Sequence, residues 1–171
     1  PIPGTRTHST LMAARDGSVW FATPNPRGKF PVPVRYDPST GKVTDYPRNE
    51  LPGEPQTGGY ITAFLEDKAG DIWYGTFGKG LFRLNPQSGK YRLYASSTDT
   101  ATGIKTNVVR QICEDSSGVL WVGTDSGLHR YVSESDRFES FTTTGEAITD
   151  EGGHFIRALT FDQHQNVWLG H

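Results

Sequence analysis

The chain has 171 residues, with 17 lysines and arginines against 19 aspartates and glutamates and a formal net charge of −2. That balance argues against nucleic acid or an anionic membrane surface as partner, since both favour clustered cations. Twenty glycines, eleven prolines and 12% aromatic residues describe a turn-rich β protein rather than a disordered chain, and the single cysteine, Cys113, allows no disulfide framework within it.

In chain order, the first unit spans about 8–47 and carries DGSVWFAT around Trp20, then the insertion PNPRGKFPV. It continues through Val34-Arg35-Tyr36 and a DPSTG turn into KVTDY. The second unit, 60–96, has GDIWYGT around Trp73, with strands expected at roughly 60–66, 71–76, 80–85 and 90–95. A third, 108–142, has GVLWVGT around Trp121, and a fourth, 155–171, reaches NVWLG around Trp168 and is incomplete. The tryptophans lie 53, 48 and 47 residues apart, and the link from Tyr46 to Ile61, Tyr94 to Val109 and Phe141 to Ile156 is 15 residues each time. A period of this length with no sustained helical pattern points to a tandem array of small sheets.

The fold class expected is therefore all-β, with β-propeller blades of four antiparallel strands repeated about three and a half times, and 1–171 forming part of a larger propeller. NVWLGH stops where the second and third units run on into a third strand, and PIPGTRT is too short to supply the missing pair.

Asp67, Asp115 and Asp162 each stand six residues before a tryptophan, with Gly17, Gly70 and Gly118 three before. Asp-x-x-Gly fits a tight turn, because the Asp side chain bonds downstream backbone and Gly tolerates positive φ. The tryptophans themselves, flanked by Val, Ile or Leu, are read as filling between neighbouring blades rather than as platforms for sugar rings. Cys113, in VVRQICED, is read as a small buried hydrophobe.

Candidate binding residues come from irregular positions on the rim that loops and links share. Arg110 and Arg157 stand where the other units have Thr62 and Thr10, with His154 just before Arg157, and Tyr60, Phe77 and Phe155 are aromatics outside the repeated phrase. An arginine fork suits a carboxylate or sulfate, hence an acidic oligosaccharide; the competing role is a salt bridge between blades or a hydrogen bond to backbone carbonyls. His8, His154 and His164 are dispersed without metal-ligand spacing, so neither metal nor other cofactor is expected, and no catalytic residue is assigned.

EDKAGDIWYGTFGKGLFRLNPQSGKYRLY and EDSSGVLWVGTDSGLHRYVSESDRFESF resemble the two-component regulator propeller repeat, and the first unit also resembles repeats of virginiamycin B lyase. The first resemblance implies a noncatalytic, periplasmic segment of a membrane-anchored sensor histidine kinase that senses an oligosaccharide. Its partners would be further blades and signalling domains of the same protein, or a second copy in a homodimer. The lyase resemblance implies a general base and metal-holding carboxylates instead, for which Glu146, Asp150, Glu151 and His154 are the available cluster. Its chemistry has no counterpart in the other links, which fits an acidic solvated loop. A protein-interaction scaffold is the remaining alternative. No 18-residue apolar run and no signal peptide occur, so no direct membrane insertion by this segment is expected.

Overall fold

The computed structural model describes residues 10–23, 31–47, 59–96, 103–143, 146–147 and 155–170. The first sheet is a meander of β1 (Leu11–Ala13), β2 (Val19–Thr23), β3 (Val32–Asp37) and β4 (Lys42–Asp45). The second repeats it with β5 (Ile61–Glu66), β6 (Ile72–Thr76), β7 (Leu81–Asn85) and β8 (Lys90–Tyr94), and the third with β9 (Val109–Glu114), β10 (Leu120–Thr124), β11 (Gly127–Val132) and β12 (Arg137–Ser140). All pairings are antiparallel, and the strands lie in chain order within each sheet. The link to the fourth unit, expected as a plain loop, pairs β13 (Thr142–Thr143) with β14 (Glu146–Ala147). The fourth sheet is the pair β15 (Ala158–Phe161) and β16 (Val167–Gly170). The first strands of successive units, β1, β5, β9 and β15, stand side by side, and the described sheets do not close into a ring.

The first turn of each later unit is built by its aspartate, which does more than turn the chain. Asp67 Oδ1 accepts the backbone N–H groups of Ala69 and Asp71, while Oδ2 accepts the Trp73 indole N–H at 2.7 Å. The same carboxylate division recurs as Asp115 with Trp121 at 2.9 Å and Asp162 with Trp168 at 3.0 Å. The first unit has Ala14 in this place, and Asp16 instead binds Ser18 and Arg35. A buried indole N–H needs an acceptor, and the six-residue spacing supplies one from the unit's own turn.

Three apolar clusters hold the units together, each lying between consecutive sheets. Trp20, Trp73 and Trp121 each rest on the aromatic that ends the same unit, Tyr46 at 4.9 Å, Tyr94 at 5.3 Å and Phe141 at 4.8 Å between ring centroids. Their other side meets the next unit: Trp73 touches Tyr131 and Phe138, and Trp121 touches Phe161. The repeated arginine follows from register, since Arg83 pairs across the strands with Trp73 and lays its guanidinium 5.3 Å from the indole centroid. Trp168 has the same turn bond but is 62% exposed, because among the described residues neither a third and fourth strand of its own unit nor a further unit covers it. Cys113 packs into the third cluster, where burial pushes its thiol up to about 12, which leaves it unreactive as a nucleophile.

The glycine two residues after Trp73 and Trp121 has a packing cause. A Cβ on Gly75 would lie 2.4 Å from Val109 Cγ1, and one on Gly123 2.6 Å from Ile156 Cγ2, so these positions admit the first strand of the next unit. Valine is stiff about χ1 and cannot swing clear. Gly75→Ala is expected to lower stability by about 1–3 kcal/mol through overpacking. Ala22, its counterpart in the first unit, packs without difficulty, so Ala22→Gly should cost about 1 kcal/mol or less. Urea unfolding of both variants checks the asymmetry.

Candidate functional site

Where the first strands begin, Thr10, Tyr60, Ile61, Thr62, Arg110 and Arg157 line an open cleft of about 440 Å³. Two of the four equivalent positions are structural ties. Thr10 Oγ1 donates to the Thr62 carbonyl at 3.0 Å, and Thr62 Oγ1 donates to the Val109 carbonyl at 2.7 Å, each reaching the next unit's first strand. At the other two, Arg110 and Arg157 stand in place of the hydroxyl.

Arg110 is committed to the protein. Its Nε and Nη2 donate to Asp125 Oδ1 and Oδ2 at 2.6 and 3.0 Å, a bidentate pair within one unit rather than the salt bridge between blades that the sequence suggested as its competing role. Donating to the Asp125 carboxylate raises the basicity of the guanidinium further. The guanidinium also lies 5.2 Å from the Phe77 ring centroid and 5.6 Å from that of Phe155, within cation–π range of both. Tyr60 extends the column by stacking on Phe77 at 5.2 Å with 7° between planes. One arginine thus joins aromatic groups from the second and fourth units to a turn of the third.

Arg157 differs. It is exposed, its backbone N–H donates to the Gly170 carbonyl at 2.8 Å, and among the described residues its side chain makes no ion pair. It also borders a second cleft of about 350 Å³, lined by Gln111 of β9 together with Leu159 and Trp168 of the fourth unit. Tyr60, which lines the first cleft, is 37% exposed, and Phe155, outside that lining, is 38% exposed.

His154, with Asp150 and Glu151, lies outside the described residues, as do most of the links and the insertion expected to share the rim. Of Glu146 only the strand position is described. Among the described residues no group of three or more His, Cys, Asp or Glu could hold a metal, and no helix is long and apolar enough to cross a membrane. The residue that sequence reasoning missed is Asp125. A signal was available: the second unit pairs Thr62 with Phe77, whereas the third pairs Arg110 with Asp125 at the same two positions.

Comparison with known proteins fits this geometry. Residues 55–78 and 103–126 match the family described as two component regulator propeller. The chain is 34% identical over 114 residues to histidine kinase P4 of Formosa agariphila, a match that covers 67% of this chain and 8% of that protein. Among solved structures it is similar to two extracellular domains assigned to hybrid two component systems of B. thetaiotaomicron. They show TM-scores of 0.66 and 0.64, 24% and 20% identity, and coverage of 94% of this chain and 20% of each of theirs. It is also similar, at 18% identity and a TM-score of 0.55, to a gluconolactonase of Xanthomonas campestris, so the fold is shared by enzymes.

Proposed function

We propose that the chain, whose residues 55–78 and 103–126 match the two component regulator propeller family, is a noncatalytic, ligand-binding segment of a bacterial sensor, carried on the periplasmic side of a membrane-anchored histidine kinase. The chain spans 8% of its kinase relative and 20% of the extracellular domains it resembles, so output belongs to parts of the protein beyond these units. The observation that carries the reading is the open cleft at the starts of the first strands, where a rigid scaffold presents an aromatic ring and a cation.

The ligand class that suits this cleft is an oligosaccharide. Tyr60 offers a ring face backed by Phe77, and stacking on a sugar ring needs such a supported face. Calorimetry of the intact protein against short oligosaccharides is expected to show binding that Tyr60→Ala weakens about tenfold, the equivalent of roughly 1.4 kcal/mol. Unchanged affinity in that variant would place the ligand elsewhere and remove the cleft from the proposal.

A further inference from the structure

Resting on the reading of the cleft as a ligand site, we infer that the ligand carries an anionic group, that Arg157 is its contact, and that Arg110 is a positioning residue whose charge Asp125 keeps out of binding. The argument goes by which polar groups are already committed. The hydroxyls of Thr10 and Thr62 donate to the Thr62 and Val109 carbonyls. Arg110 spends Nε and Nη2 on Asp125 and lies over the Phe77 and Phe155 rings, so with Asp125 it adds no net charge to the cleft. Of the two arginines lining the cleft, the exposed Arg157 is the one outside an ion pair among the described residues.

A guanidinium outside any ion pair among the described residues is a planar double donor, matched by a carboxylate or a sulfate ester. The aromatic column beside it supplies the apolar wall for the ring that bears the acid. Division of labour explains why two neighbouring units carry arginine where the others carry threonine: one cation builds the wall and the other reads the ligand.

Three trisaccharides of matched linkage separate the sources of charge: a galacturonate trisaccharide, its neutral galactose counterpart and a sulfated galactose form. In calorimetry on the intact protein at low salt, at least one acidic form is expected to bind about tenfold more tightly than the neutral one. Arg157→Ala should abolish that preference without moving the thermal midpoint, and Arg157→Lys should restore part of it. Asp125→Asn should raise acidic affinity several-fold by unmasking the Arg110 charge, an effect a purely structural ion pair would not give. Equal affinity for acidic and neutral forms, lost in Tyr60→Ala, overturns the anionic inference and leaves the ligand site standing; binding of none of the three at millimolar concentration overturns both.

Discussion

Trp73→Ala is expected to lower the stability of the folded protein by about 3–5 kcal/mol, the largest loss expected from any single substitution named for this chain. The indole is 1% exposed and fills the space between the second and third sheets, with Tyr94 beneath it and Tyr131 and Phe138 at its edges. Truncation leaves a cavity lined on one side by β8 and on the other by β11 and β12, and strands held by their own hydrogen bonds cannot collapse far into it. It also strips Asp67 Oδ2 of the indole donor and Arg83 of the ring under its guanidinium. Trp73→Phe separates the contributions, because it keeps an aromatic ring between the sheets and loses the bond to Asp67. A charge-assisted hydrogen bond of that kind is worth about 1.5–3 kcal/mol, so Trp73→Phe should fall clearly short of the alanine loss. Urea unfolding of the two variants decides the matter. An alanine loss under about 1 kcal/mol would show that the units are held by something other than their shared tryptophan interface.

The repeat made the sheets legible because a strand's signals are local: alternation, turn glycines and a fixed interval between tryptophans need no knowledge of what lies across the interface. Placing Trp73 between blades also followed, since a position that is apolar in every unit has to be covered. Other features depended on direction and partner choice. Nothing in the spacing says that Asp67 turns one oxygen to the backbone and the other to an indole. Nor does it say that Gly75 is small because Val109 arrives from 34 residues away. The site was legible only as a set of irregular positions. Arg110 and Arg157 look equivalent in sequence, and the structure separates them through Asp125, whose side chain meets Arg110 from the other end of the β9 to β10 hairpin.

His129 carries the second large effect, one that depends on pH. It lies on β11 opposite Val122, the place filled by Val34 opposite Phe21 and by Phe82 opposite Tyr74 in the preceding units. Val34 and Phe82 are buried apolar side chains, and His129 is 0% exposed in the same setting. Its Nδ1 stands 3.5 Å from Thr124 Oγ1, and Nε2 has no hydrogen-bond partner among the described residues. Burial therefore disfavours the imidazolium and pulls the group down to about 4 from its ordinary 6.5, with Lys105 adding repulsion and a backbone bond at Gly127 opposing the shift in part.

The sign follows from linkage. Above about 6.5 the imidazole is neutral in both states and pH has no effect through it. Between about 6.5 and 4 the unfolded chain takes a proton that the folded chain refuses, so stability falls as pH falls; below about 4 both states are protonated and the loss levels off. The full difference is on the order of 3 kcal/mol. Asp16 and Asp162, each held at about 2 chiefly by side-chain hydrogen bonds from Ser18 and Asn166, lose their contributions at lower pH and do so whether or not His129 is present. His129→Phe, which copies the side chain that Phe82 places at the equivalent position, should therefore flatten the loss between pH 7 and 4.5 while leaving the steeper acid limb in place. Urea midpoints for both proteins at pH 7.5, 5.5 and 4.5 test this. Parallel pH profiles would mean that β11 opens to water before the imidazole has to be charged in place.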